Sequence, residues 1–74
     1  MEVNRMEEDE YRFPERLKEL RSKAKLSGRA LSELIGLSKE TISRYERGEQ
    51  EPGARAVLHL AKFFGVSTDY LIGE

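Results

Sequence analysis

The sequence predicts an all-α fold, because apolar residues recur with helical spacing and glycines stand where helices would end. Leu31 and Ile35 form one apolar stripe at i, i+4, and Ile42 and Tyr45 form a second at i, i+3. Gly36 lies between the two stripes, where the backbone must turn sharply. This pattern is typical of a helix-turn-helix, in which one tight turn joins two short helices.

Five helices are predicted, with no strand and no internal repeat. Pro14 suits a first helical turn, and Ser27, Ser38 and Ser67 are predicted N-caps of helices 2, 3 and 5. Gly48 is expected to end helix 3 in a left-handed conformation. The predicted helices span about residues 14–25, 28–35, 39–47 and 54–64, with a short fifth helix after residue 67.

Apolar stripes on helices 1 and 4 supply the rest of the predicted core, because their spacing of three and four residues places each stripe on one helix face. The members are Phe13, Leu17, Leu20 and Ala24 on helix 1, and Val57, Leu60, Ala61 and Phe64 on helix 4. We therefore expect one compact five-helix domain over residues 13–74, whose stability depends on helix packing.

Composition excludes several classes of protein. The chain has 74 residues, no cysteine and a single histidine, His59. A disulfide framework and a structural zinc site are therefore excluded, and we expect neither a metal nor a cofactor. The apolar runs are far shorter than the roughly 20 residues of a membrane span, and the acidic N-terminus lacks the layout of a signal peptide. These features predict a cytoplasmic protein without membrane contact.

The charges are unevenly distributed, although 13 Lys and Arg against 14 Asp and Glu give a net charge of −1. Residues 16–47 carry nine basic and four acidic side chains, a surplus of five. By contrast, residues 1–12 carry five acidic and two basic side chains, and residues 49–74 carry four and two. The positive field is therefore expected on helices 1 to 3, where phosphate contacts would be made.

The first twelve residues are predicted to form an acidic, disordered tail, because they are charged and lack an apolar period. The alternative is an N-terminal extension of helix 1, in which Met6 packs with Phe13. Pro14 favours a fresh helix start, since proline disfavours helical conformation in the residue before it. The sequence leaves open whether the chain is a whole protein or a domain of a larger one.

Three stretches resemble the lambda-repressor-like helix-turn-helix family, of the Cro-repressor or Xre type. They read Arg-Leu-Lys-Glu-Leu-Arg over residues 16–21, Leu-Ser-Gly-Arg-Ala-Leu-Ser-Glu-Leu-Ile-Gly-Leu-Ser-Lys-Glu-Thr-Ile-Ser-Arg-Tyr-Glu-Arg-Gly over residues 26–48, and Ala-Lys-Phe-Phe-Gly-Val-Ser-Thr-Asp-Tyr-Leu over residues 61–71. The resemblance covers about residues 13–73. It implies a sequence-specific binder of double-stranded DNA, a transcriptional regulator of the repressor kind, with helix 3 in the major groove.

Helix 3 would read bases with the residues that its apolar stripe leaves free. These candidates are Lys39, Glu40, Thr41, Ser43 and Arg44. Lysine and arginine donate to guanine O6 and N7, glutamate accepts from cytosine N4, and threonine offers a hydroxyl and a methyl group. By resemblance, Lys39, Glu40 and Arg44 match the positions that most often read bases. The alternative is an exposed helical face whose charges only solubilise the protein.

Contacts to the DNA backbone are predicted at four residues, namely Gly28, Arg29, Ser38 and Arg47. Gly28 departs from the family, which usually has glutamine there, and Arg29 could replace that contact. The loop after helix 3 also departs, because Glu49 and Glu51 stand where the family is commonly basic. We therefore expect weak or short-lived binding, or binding that needs a dimer.

A homodimer on a palindromic operator is predicted, since helix-turn-helix dimers read two half-sites about one helical turn apart. Phe63 and Ile72 are the interface candidates, whereas Tyr70 and Leu71 are expected to close the core. The alternative function is a protein-interaction module on the same scaffold, with little DNA binding. An enzyme is not expected, because His59 has no nucleophile or paired carboxylate near it in sequence, and no small-molecule substrate is implied.

Overall fold

The computed structural model describes residues 11–73, so residues 1–10 of the tail predicted over residues 1–12 lie outside this range. The described part of the chain contains five α-helices and no strand. They are α1 (Phe13–Lys23), α2 (Gly28–Ile35), α3 (Lys39–Glu46), α4 (Ala54–Phe64) and α5 (Thr68–Ile72). The all-α prediction is confirmed. Just before α1, the amide of Arg12 donates to the carbonyl of Ile72 at 2.7 Å, so the start of the domain is joined to its end.

Serine side chains begin three of the helices, as the sequence predicts. The hydroxyls of Ser27, Ser38 and Ser67 each accept a hydrogen bond from the amide three residues later, at 2.9–3.0 Å. Each bond satisfies one of the amides that a helix N-terminus leaves without an intrahelical partner. A cap of this kind typically contributes about 1 kcal/mol, which matters for helices as short as α2 and α5.

The core lies where the five helices converge. Packing joins α1 to α3 and α5, α2 to α3 and α4, and α4 to α5. The buried apolar residues are Phe13, Leu17, Leu31, Ile42, Tyr45, Val57, Leu60, Ala61 and Leu71. The rings of Phe13 and Tyr45 meet edge to face, with centroids 5.5 Å apart. Each of the five helices therefore contributes at least one side chain to a shared core.

The end of α1 differs from the prediction, because the helix stops at Lys23 and not at about Lys25. Lys25 adopts a left-handed conformation with φ of 60°, and its amide donates to the carbonyl of Ser22 at 2.9 Å. The next amide, that of Leu26, donates to the carbonyl of Arg21 at 3.1 Å. This is a Schellman motif with lysine where glycine is usual. Ala24 is exposed as a result, so its predicted place in the core is wrong.

The left-handed Lys25 gives a first prediction. A Lys25→Gly variant should unfold with a free energy about 0.5 to 1 kcal/mol higher than the wild type, because glycine adopts positive φ without a steric penalty. Urea denaturation followed by circular dichroism measures the difference. Lys23→Gly is the matched control, and it should destabilise the protein, since Lys23 lies within the helix. Equal destabilisation by both glycines would contradict the assignment.

An ion pair fixes α3 against α1. The guanidinium of Arg21 donates from Nε to Oε2 of Glu46 at 2.6 Å and from Nη2 to Oε1 at 2.9 Å. Its third nitrogen, Nη1, donates to the carbonyl of Leu26 at 2.9 Å. The two charged side chains are only 18% and 11% exposed. One guanidinium therefore links the end of α3, helix α1 and the chain segment leading into α2.

Candidate nucleic-acid interface

A sharp turn joins α2 and α3 and sets the position of α3. Gly36 ends α2 with φ of 82°, a conformation that favours glycine because other residues clash there. Ser38 then starts α3 as its N-cap. The inner side of α3 is anchored in the core by Ile42 and Tyr45, which are 1% and 4% exposed. Consequently the opposite side of α3 faces away from the core.

That outward face carries most of the predicted contact residues. They line one shallow groove, open to solvent, formed by Lys39, Glu40, Ser43, Arg44 and Arg47. The side chains of Lys39, Glu40 and Arg44 are exposed. None of these three makes a hydrogen bond or ion pair through its charged group within residues 11–73. Two hydrogen-bond donors, Lys39 and Arg44, and one acceptor, Glu40, are thus presented together on one helical face.

Thr41 is the base-reading candidate that the structure separates from the others. Its hydroxyl accepts a hydrogen bond from the hydroxyl of Ser38 at 2.9 Å, and its amide donates to the same Ser38 oxygen at 3.0 Å. The residue is part of the capping arrangement and does not line the groove. Its position favours the rim of the face, close to Ser38, over its centre.

The N-terminus of α2 presents Gly28 and Arg29. A Cβ added to Gly28 would meet no atom within 4 Å, so packing does not require glycine there. Arg29 is exposed, and the first turn of α2 contains no acidic residue, so a cation stands at the positive end of the helix. Ser32, one turn on, donates its hydroxyl to the carbonyl of Arg29 at 2.7 Å.

Arg47 has a partner that the sequence analysis did not predict. Its Nε and Nη2 donate to the two carboxylate oxygens of Glu49 at 3.0 and 2.9 Å, and its Nη1 donates to the hydroxyl of Ser43. The pair is open to solvent, with side chains 54% and 56% exposed. The hydrogen bonds from Arg47, together with its charge and that of Arg44, hold the pKa of Glu49 below its ordinary value.

The chain geometry at the end of α3 explains this pairing. Gly48 has φ of 72°, its amide donates to the carbonyl of Tyr45 at 3.1 Å, and the amide of Glu49 donates to the carbonyl of Arg44 at 2.9 Å. This Schellman motif turns the chain back beside the helix end. An acid directly after the expected C-terminal glycine is the signal that could have predicted the contact.

The dimer candidates occupy different environments. Phe63 is 40% exposed, and the centroid of its ring lies 5.0 Å from that of Phe64. Ile72, in contrast, packs against the core and is only partly exposed. Leu71 closes the core as expected, but Tyr70 is 38% exposed, and the guanidinium of Arg16 lies 4.2 Å from its ring centroid. The expectation that Tyr70 closes the core is therefore wrong.

Comparison with known proteins defines the class of this domain. A helix-turn-helix family model matches residues 17–71, and the chain belongs to that family. The HTH-type transcriptional regulator ImmR of Bacillus subtilis (strain 168) is 37% identical over 59 residues, which are 80% of this chain and 46% of ImmR. The repressor protein C2 of Salmonella phage P22 is 40% identical over 58 residues, 78% of this chain and 27% of C2.

A solved structure extends the comparison to the fold. The P22 c2 repressor protein in complex with a synthetic operator superposes with a TM-score of 0.76 and 38% identity, over 81% of this chain and 91% of that chain. The lambda-repressor-like resemblance and the five-helix fold are confirmed. The chain spans about half the length of ImmR and about a quarter of the C2 repressor. Within residues 11–73 no helix has the length and apolarity needed to cross a membrane.

Proposed function

We propose that this domain binds double-stranded DNA in a sequence-specific manner and acts as a transcriptional regulator of the repressor kind. The observation that carries the proposal is the outward face of α3, where exposed charged side chains line one groove opposite a rigid core anchor. A helix held in this way by a helix-turn-helix can enter a major groove with its N-terminal residues. Binding alone is the mechanism, since an occupied operator excludes the polymerase.

The side chains divide by what they can reach. Lys39, Glu40 and Arg44 have charged groups suited to base edges, with the first and third donating to guanine and the second accepting from cytosine. Arg29 and the Ser38 end of α3 are placed at two helix N-termini, where amides and positive charge favour phosphate. Thr41 would contact DNA at the rim of this face, and Ser43 would contact it from within the groove. This division assigns specificity to α3 and positioning to both helix starts.

Dimerisation belongs to the same proposal. One copy would read one half-site, and a palindromic operator would be read by two copies related by two-fold symmetry. Phe63 supports this, because it is a large apolar side chain with 40% of its surface exposed. Ile72 is partly buried, so only the exposed part of its side chain would contribute to the dimer interface.

A second function has one observation in its favour. Glu49 pairs with Arg47, which lines the groove on α3, so a carboxylate lies beside the face that would meet DNA, and a second acid, Glu51, follows in the same exposed loop. A protein-interaction module on this scaffold would tolerate such charges better than a DNA binder would. It would show negligible affinity for any duplex at physiological salt.

Selection from a random pool of duplexes tests the proposal. The protein is incubated with the pool at about 0.15 M salt, and the bound fraction is recovered over several rounds and sequenced. Specific sites should exceed non-specific binding by roughly a thousandfold or more. A palindromic motif with half-sites about 10 base pairs apart supports a dimeric DNA-binding regulator. No enrichment would support the interaction module.

Arg29 gives a prediction that separates phosphate contact from base reading. Arg29→Ala should weaken binding to all duplexes by a similar factor and reduce the slope of log K against log salt by about one unit, because one phosphate contact is lost. Fluorescence anisotropy titrations at several salt concentrations measure both quantities. Lys62→Ala is the control, an exposed lysine in the last turn of α4 that should change neither. An unchanged salt slope in Arg29→Ala would show that Arg29 makes no phosphate contact.

A further inference from the structure

We propose that Glu49 is an internal competitor for DNA, whose carboxylate occupies the face of Arg47 that a phosphate group would otherwise take. The inference rests on the DNA-binding function proposed above and adds a regulatory contact to it. In the free protein, the contact lowers affinity for every duplex without altering which sequence is preferred.

The geometry of the Arg47 side chain supports the competition. A guanidinium binds phosphate through a fork of two parallel N–H bonds, as it binds a carboxylate. Here Nε and Nη2 form that fork with Glu49 at 3.0 and 2.9 Å, and Nη1 faces the hydroxyl of Ser43. A phosphate that takes the Nε and Nη2 fork of Arg47 must therefore displace Glu49 first.

The exposure of the pair makes the displacement feasible. Both side chains are more than half exposed, and an exposed ion pair is worth little and is easily broken. Arg47 also lines the groove with Lys39, Glu40 and Arg44, so a phosphate at the edge of that groove lies within the field of the same cations. The contact between Arg47 and Glu49 therefore lowers DNA affinity weakly and reversibly.

Glu51 provides a matched control for charge. It lies in the same loop and is exposed, but its carboxylate makes no hydrogen bond or ion pair with any side chain in the described range. Glu49→Gln and Glu51→Gln each remove one negative charge from the same exposed loop. Only the first releases Arg47, so the difference between the two variants isolates the competition from general repulsion.

The experiment measures affinity for a mixed-sequence duplex of about 21 base pairs, two helical turns, because a phosphate contact does not depend on sequence. At about 0.15 M salt, where the Debye length is about 8 Å, Glu49→Gln should bind about two- to fivefold more tightly than the wild type, the range expected for breaking one exposed ion pair. Glu51→Gln should gain less than about 1.5-fold, since long-range repulsion is screened. In an Arg47→Ala background, Glu49→Gln should gain no more than Glu51→Gln.

The outcomes are distinct. Equal gains from the two glutamine variants, or a Glu49→Gln gain that persists without Arg47, would show that charge alone acts and would overturn the inference. Weaker binding by Glu49→Gln would show that Glu49 positions Arg47 for contact, which also overturns it. If the wild type binds no duplex even at low salt, the proposed DNA-binding function itself fails. Circular dichroism confirms that each variant keeps its helices.

Discussion

Glu46→Ala should destabilise the domain by about 3 kcal/mol, because it leaves the guanidinium of Arg21 without its partner in a site largely shielded from water. Arg21 is 18% exposed and Glu46 11%, so solvent replaces the lost hydrogen bonds poorly. At about 0.05 to 0.15 kcal/mol per residue, a chain of 74 residues has a total stability of about 4 to 11 kcal/mol. The substitution therefore removes a large share of it.

Urea denaturation measures the effect. With a slope of about 1 kcal/mol per molar for a domain of this size, the midpoint should fall by roughly 3 M. Glu33→Ala is the control, since Glu33 is an exposed acid on α2 and its loss should change stability by less than about 0.5 kcal/mol. A Glu46→Ala midpoint equal to that of Glu33→Ala would show that the ion pair contributes nothing.

A double variant distinguishes the loss of the ion pair itself from the cost of leaving one shielded charge without a partner. Replacing Arg21 with methionine and Glu46 with leucine removes both charges and keeps an apolar volume, and such replacements are often neutral or stabilising. We expect the double variant to recover most of the stability that Glu46→Ala loses. Recovery would show that the single variant suffers from an unpaired charge, and a deficit as large as that of Glu46→Ala would instead indicate lost hydrogen bonds, including the one from Arg21 to the carbonyl of Leu26.

Local chemistry made most of the fold predictable. Ser27, Ser38 and Ser67 begin helices, and Gly36 and Gly48 turn the chain, because capping and positive φ depend on residues within a few positions of each other. The bounds predicted for α2 and α4 agree with the structure. The end of α1 was missed because lysine rarely takes the left-handed position that Lys25 occupies.

The candidate site was only partly predictable for the same reason. The groove on α3 follows from helical spacing once Ile42 and Tyr45 are assigned to the core, so Lys39, Glu40 and Arg44 could be predicted together. The ion-pair partners of Arg21 and Arg47 could not be predicted. Arg21 and Glu46 are 25 residues apart in sequence, and no local pattern joins them. Arg47 and Glu49 meet because of a backbone turn, which a count of charges along the chain does not reveal.

Glu40 and Arg44 should decide which operator the domain reads. Both are exposed in the same groove on α3, and each has the hydrogen-bonding groups suited to one base. A bidentate contact from arginine to guanine O6 and N7 is worth about 1 to 3 kcal/mol of discrimination. Arg44→Ala should therefore remove the guanine preference at one or two positions of the selected motif and leave the other positions unchanged. Repeating the selection with the variant measures this directly.

Glu40→Gln should change the preference and not merely weaken it. Glutamate accepts from the amino group of cytosine, whereas glutamine can donate to and accept from adenine N7 and N6, so one position should shift from cytosine to adenine. Lys62→Ala, an exposed change on α4, should return the wild-type motif. An unchanged motif with uniformly lower affinity in Arg44→Ala would place Arg44 on phosphate. Specificity would then have to come from Lys39 and Glu40. These are the other two charged side chains near the start of α3 that make no hydrogen bond or ion pair within residues 11–73.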